Sequence, residues 1–455
     1  MSKRWRRWQR WLAPGIGIKR WGALIAAGVL VFGAGFVLLI NERFLTQFES
    51  AIFRLAHSLG RVTGYEASPM ALGVLGVTLG VLAAFLGLRG MLRSIDRVLF
   101  PSGSPTLVDF LRQERRRRRG VNIVVLGGGT GLATLLRGLK EYSSNLTAVV
   151  TVFDDGGSSG RLRRELGILP PGDIRHCLVA LAEAEPLMTK LFEYRFRGGA
   201  LDGHAFGNLF IASLAGVTGD LELAVKEASK VLKIRGRVLP TTGHDVVLAA
   251  ELDDGRTIEG ESKITGARGR ITRVSLRPAD PTPLPDVLEA IADADLIVLG
   301  PGSLYTSLIP NLLVPGIVDA LRESDAPCVY ICNIMTQPGE TDGYTAADHV
   351  RAIHAHTGTG MFSHVIVNTQ MPQSRALRDR YAGQGSRPVE PAIGELEALG
   401  LVAVGIPLMS EEELLRHDPV RLAAGVLQVM DLTHVRPRRG RRPAALAQAR
   451  REKPR

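Results

Sequence analysis

The chain is poor in cysteine, with only Cys177, Cys328 and Cys332 among 455 residues. That number excludes a disulfide-stapled scaffold, and the spacing matches no zinc site. A disordered chain has few apolar residues, whereas 45% of these are hydrophobic and 22% charged, so most of the chain folds. The length suggests two or three folding units. Net positive charge is confined to three short segments. The formal charge is +11, but residues 1–20 carry +7, residues 112–119 carry +5 and residues 436–455 carry +8, which leaves everything else at −9. The body is acidic, and no nucleic-acid partner is expected.

Charge is absent from two runs, residues 21–40 and 71–88. Twenty helical residues extend about 30 Å, one hydrocarbon thickness. Arg89 marks the interfacial end of the second run. The first is too long for a cleaved signal peptide, and residues 36–41 offer no small-residue cleavage site. Arg4, Arg6, Arg7, Arg10, Lys19 and Arg20 precede the first run, while Arg89, Arg93, Arg97 and residues 115–119 follow the second. The positive-inside rule then places both termini and the main domain in the cytoplasm and residues 41–69 outside. A multi-pass cell-membrane protein is expected. In the outer loop Phe44, Phe48, Ile52, Leu55 and Leu59 recur at helical spacing, either as a helix on the outer membrane surface or as one packed on the spans. Trp5, Trp8, Trp11 and Trp21 cluster as an interfacial belt. Neither span holds an ionisable group, so the hairpin reads as an anchor and not a transport path.

The body opens on a buried β-branched strand, residues 121–126, which runs into Gly127, Gly128, Gly129, Thr130 and Gly131 and then a helix marked by Leu132, Leu135, Leu136 and Leu139. Such a turn lets backbone approach an anion at a helix N-terminus. The second strand, 148–153, ends in Asp154 and Asp155. No register fits the dinucleotide pattern G-x-G-x-x-G/A, and no Gly-Lys-Ser/Thr follows the glycines, which excludes a P-loop. The glycines either bind a nucleotide or only pack helix on strand. A second loop at 155–161 brings Ser158 and Ser159, whose hydroxyls suit a phosphate or sugar. Asp173 is a ligand group or a helix N-cap. His204 and Asn208, four apart, share a face on a helix. Asp154, Asp155 and His204 form one candidate set for a divalent ion. Residues 245–273 read as a β-rich insert, with strands at 246–252 and 256–264. A third loop after strand 295–299 carries Gly302, Ser303, Tyr305 and Thr306 at a strand's C-terminal end, where open α/β sheets bind ligands. Strands at 329–333, 365–368 and 401–404 follow. Cys328 and Cys332 read as core, and His349, His354 and His356 receive no role.

Six ordered motifs, at 127–131, 153–161, 171–175, 203–208, 300–307 and 332–341, resemble the bacterial gluconeogenesis factors, the YvcK-like proteins. These share a superfamily with the 2-phospho-lactate transferases (CofD). The resemblance covers residues 121–435. It implies a Rossmann-like, mostly parallel α/β fold that binds UDP-N-acetylglucosamine and coordinates gluconeogenic carbon metabolism with peptidoglycan synthesis and cell shape. It also singles out Tyr381, which can stack on a base or sugar, and Arg416, which can fork onto a pyrophosphate. The added hairpin departs from the usual short soluble chains of that family.

Three units follow: an anchor with basic linker at 1–120, the nucleotide-sugar domain at 121–435 and a basic tail at 436–455. The tail has too few apolar residues to fold alone and either lies on anionic lipid or is solvated. The expected function is a membrane-tethered UDP-sugar regulator, since no nucleophile–base pair shows in the pattern. The alternative is a transferase using a nucleoside-diphosphate-linked donor with Mg2+. A nicotinamide-dependent oxidoreductase is not expected. Cell-wall synthesis regulators are candidate partners, and a homodimer is left open.

Overall fold

A computed structural model describes residues 18–40, 69–99, 120–183, 186–267, 269–411 and 415–435. The expected outer-loop helix, the tryptophans at 5, 8 and 11, the basic linker and the tail lie outside the described residues. The chain divides into two compact units, Met1–Glu114 and Arg115–Arg455.

In the first unit, helices Ile18–Ile40 and Pro69–Leu99 pack along much of their length. Their seam is made of glycine. A Cβ added at Gly80 would sit 2.4 Å from the Phe32 nitrogen, and one at Gly35 would sit 2.6 Å from the Val77 nitrogen. Only bare backbone permits that approach, a device of helix pairs that associate without a hydrophobic driving force. The large apolar side chains face outward, Leu30 at 74% and Phe85 at 57% exposure. By length and apolarity, segment Gly73–Met91 suffices to cross a bilayer, and Trp21–Phe36 is a shorter apolar helix. The second helix runs past Arg89 to Leu99, because a charge beyond the apolar stretch does not stop an α-helix.

The second unit contains twelve described strands: β1 (Ile123–Gly127), β2 (Leu146–Val150), β3 (Arg237–Pro240), β4 (Val247–Leu252), β5 (Thr257–Glu259), β6 (Ile271–Arg277), β7 (Leu296–Leu299), β8 (Cys328–Ile331), β9 (His364–Asn368), β10 (Val402–Ile406), β11 (Met409–Glu411) and β12 (Leu415–His417). Seven form one sheet in the order β10-β9-β8-β7-β1-β2-β3, and every pairing in it is parallel. Strands β1, β2, β7 and β8 are buried throughout, as a sheet covered on both faces by helices requires. The chain lays strands to one side of β1 and then returns to lay the rest on the other. The order therefore reverses between β1 and β7, and the C-terminal ends of those strands flank a ready-made crevice.

Several boundaries differ from expectation. The second strand stops at Val150, short of Phe153. The insert is a three-stranded antiparallel sheet, β5-β4-β6, but the strand expected at 256–264 ends at Glu259. Gly260, at φ +100°, turns the chain into helix Glu261–Gly266, whose Ser262 N–H donates to Asp155 Oδ1 at 2.8 Å. A tertiary contact thus overrides the local β pattern. Edge strand β3 and the hairpin β11–β12 are too short for periodicity to signal. The three cysteines are buried, and burial pushes the Cys332 thiol up to about 12, so they serve as core.

His417 ties the β11–β12 hairpin to the sheet: its Nε2 donates to the Cys332 carbonyl at 3.4 Å. Burial lowers its pKa to about 4, against 6.5 for a free imidazole. Between those values the unfolded chain binds a proton that the folded chain excludes. The neutral ring's contribution is therefore complete above pH 6.5 and is lost as pH falls toward 4, by about 3 kcal/mol. Denaturant titrations across that window should show a flatter curve for His417→Gln than for the parent chain. Parallel curves would contradict the assignment.

Candidate functional site

After β1 the chain passes Gly128 into helix Gly129–Leu139, which has no side-chain cap. Its first N–H groups are thus left for a ligand. After β7 the chain makes a second small-residue turn, then a single π turn, Leu304–Leu308. Because β1 and β7 are neighbours, the two turns touch. A Cβ on Gly131 would sit 2.8 Å from the Pro301 carbonyl oxygen, and one on Gly302 would sit 3.0 Å from that of Gly128. Side chains from the loop after β8 brace the second turn: Asn333 Nδ2 donates to the Gly302 carbonyl at 2.9 Å and Gln337 Nε2 to Ser303 Oγ at 2.8 Å. Asn311 Nδ2 donates to the Gly127 carbonyl at 3.0 Å, holding the first.

Between the turns lies a cleft of about 220 Å³ whose lining includes Gly128, Gly129, Thr130, Gly131, Gly302, Ser303 and Arg416. Seven of the residues expected at a ligand site therefore share one hollow. Free N–H groups at a helix N-terminus, two hydroxyls and an exposed guanidinium make it suited to an anion. Tyr381, on helix Arg375–Gly383, accepts a hydrogen bond from the Leu415 N–H at 3.3 Å. It supports β12 next to Arg416. Sequence reasoning on residue chemistry missed Asn333, Gln337 and His417, which also line the cleft; Asn333 and Gln337 lie in the polar run after β8 and within the 332–341 motif, whereas His417, in β12, gave no signal of its own.

Tyr305 and Thr306 face elsewhere. The Tyr305 hydroxyl pairs with that of Tyr344 at 2.8 Å, inside the core. Thr306 Oγ1 donates to Glu340 Oε1 at 3.3 Å.

The remaining expected residues gather behind the first turn. A Cβ on Gly128 would collide with Asp173 Oδ2 and Thr151 Cγ2, each 2.5 Å away, so only glycine separates this group from the cleft. Asp173 lies in the first turn of helix Gly172–Leu181, whose N-cap is Pro171; the capping role considered for it is not realised. Asp154 Oδ1 accepts from the Gly156 N–H at 2.8 Å, and Ser159 donates to the same carboxyl. Asn208, on helix Phe206–Thr218, donates through Nδ2 to Ser158 Oγ at 3.1 Å, which shares a second 3.1 Å bond with His204 Nδ1. His204 precedes that helix rather than sharing a face of it. Burial raises the pKa of Asp154, Glu340 and, most strongly, Glu261; neighbouring carboxylates add to the rise at Asp154 and Glu261.

This arrangement does not fit the expected divalent-ion set. Asp155 turns to Ser262, His204 is engaged with Ser158, and among the described residues no three His, Cys, Asp or Glu side chains are placed to hold a metal.

The profile of the family described as 2-phospho-L-lactate transferase CofD matches residues 123–409. The gluconeogenesis factor of Bacillus subtilis is 49% identical over 311 residues, covering 68% of this chain and 98% of that protein. A relative from Nostoc sp. that carries the same family name is 49% identical over 435 residues, covering 94% of this chain and 93% of its own, so that likeness extends into the N-terminal unit. A crystal structure of a Bacillus halodurans protein superposes with a TM-score of 0.66 at 49% identity, covering 68% of this chain and 99% of that one. With its parallel sheet, paired turns and these relatives, the chain belongs to the gluconeogenesis factor family of CofD-like proteins.

Proposed function

We propose that this protein is a membrane-tethered regulator that binds UDP-N-acetylglucosamine and links gluconeogenic carbon metabolism to peptidoglycan synthesis and cell shape. One observation carries the reading: two backbone turns in van der Waals contact, with Arg416 on the same cleft. A diphosphate placed there meets helix-terminal N–H groups on one side and a forked cation on the other. Tyr381 braces the arginine's strand through the Leu415 N–H, and a base or sugar stacked on its ring is part of this reading. The described lining offers amides, hydroxyls, a guanidinium and one imidazole, His417, whose Nε2 is engaged with the Cys332 carbonyl, a set suited to holding a ligand more than to cleaving it.

A second reading is favoured by the family profile alone: group transfer from a nucleoside-diphosphate-linked donor. Product formation from such a donor, with or without added Mg2+, would establish it.

Calorimetric titration with UDP-N-acetylglucosamine should give saturable binding. Arg416→Ala should weaken it by about 10- to 100-fold, the loss of one charge-assisted contact, with no change in the unfolding midpoint. Absence of saturation at millimolar ligand would end the proposal.

For the tether, the glycine seam and outward apolar side chains support insertion of the first unit as a lipid-embedded hairpin. The full chain should sediment with membranes and resist alkaline carbonate extraction. Release into the supernatant would contradict it.

A further inference from the structure

The hairpin seam opens at the end where charge begins. At Gly87 the helices are still tight, and an added Cβ would sit 2.6 Å from Ile25 Cγ1. About one turn on, at Gly90, such a Cβ would collide with the ring of Trp21. An indole has replaced backbone as the spacer between the helices. Beside it lies a hollow of about 310 Å³ whose lining includes Trp21, Leu24, Leu86, Arg89, Gly90 and Arg93, a volume at the lower end of small-ligand sites.

The lining is divided by chemistry. Arg89 and Arg93 stand four apart on helix Pro69–Leu99, so they share a face about 6 Å apart along its axis. Both are exposed, and neither has a hydrogen-bond or carboxylate partner among the described residues. Acids are scarce in this unit: helices Ile18–Ile40 and Pro69–Leu99 carry Lys19, Arg20, Arg89, Arg93 and Arg97 against Asp96 alone. A phosphate group answers two such guanidinium forks, because its oxygens accept from both.

The apolar half of the lining indicates what that phosphate is joined to. Leu86 is the first of four leucines, with Leu82, Leu79 and Leu75, that recur every three or four residues and so form one stripe along the helix, each about half exposed. From Leu75 to Leu86 the stripe runs about 17 Å, close to half the hydrocarbon thickness of a bilayer. A phosphate at the arginines with an acyl chain on the leucines is a phospholipid. A zwitterionic headgroup brings its own cation, which the arginines repel, so the pair selects a headgroup of net negative charge.

We propose that the hollow at Trp21, Arg89 and Arg93 binds the phosphate of an anionic phospholipid whose acyl chain lies on the leucine stripe. This rests on the reading of the first unit as a lipid-embedded hairpin and adds to it a chosen lipid at its charged end.

The test uses the full chain with Trp5, Trp8 and Trp11 changed to Phe, which leaves Trp21 as the only indole. The protein is placed in mixed vesicles of phosphatidylcholine and phosphatidylglycerol, with one lipid or the other brominated near the headgroup end of its acyl chains, since bromine quenches an indole it touches. Brominated phosphatidylglycerol should quench Trp21 at a mole fraction about tenfold lower than brominated phosphatidylcholine. That preference should persist in about 1 M salt, where the screening length falls to roughly 3 Å and diffuse attraction is lost. Arg89→Gln combined with Arg93→Gln should remove the preference while helix content and the unfolding midpoint of the second unit stay put. A preference that vanishes in salt, or survives the double substitution, overturns the site. Loss of the preference to excess inorganic phosphate would make a free anion the ligand and also overturn it. Equal quenching by both lipids overturns the site but keeps the hairpin in lipid, whereas quenching by neither removes the hairpin reading as well.

Discussion

The contact between Gly131 and the Pro301 carbonyl governs this protein. Two strand ends can present backbone donors to one anion only if the turns leaving them come within van der Waals distance, and a single methyl group on either side would force them apart. That closeness depends in turn on β1 and β7 being paired neighbours although more than 160 residues separate them in the chain. The topology reverses there, and the reversal opens a gap between helices on opposite faces of the sheet. Asn333 and Gln337, from the cleft wall, and Asn311, from the core, then hold the turns, so the cleft is shaped before any ligand arrives. Pre-shaping of this kind spares the ligand the cost of ordering a loop.

Much of this was legible in the residues. A β-branched run meeting a string of glycines and then a leucine-spaced helix announces β1, its turn and the helix N-terminus together. The rule that ligands sit at strand C-termini then joins the turn after β7 to the same place. What stayed hidden depends on distant chain segments meeting. Asp155 looked like half of an acidic pair, yet its carboxylate holds a helix start more than a hundred residues away. Tyr305 looked like a ligand group and is a core ring, because a π turn rotates it inward toward Tyr344. Strand β12 is three residues long, too short for any pattern, and Arg416 stood out only through family likeness.

The two units follow opposite packing logic. The body hides aliphatic side chains between sheet and helices and leaves its polar loops at one edge. The hairpin brings backbone to backbone along glycines and turns its leucines, valines and phenylalanines outward. The first arrangement is that of a core formed in water, and the second resembles the close packing of helix pairs that associate without a hydrophobic driving force.

The central claim is that a diphosphate sits between the two turns. A crystal structure of the protein grown with UDP-N-acetylglucosamine tests it most directly. The account predicts phosphate density at the N-terminus of helix Gly129–Leu139, within hydrogen-bond distance of Gly129–Gly131 and Ser303 backbone or side-chain donors and of the Arg416 guanidinium. Nucleotide density anywhere else on the second unit, with the cleft holding only water, would contradict it.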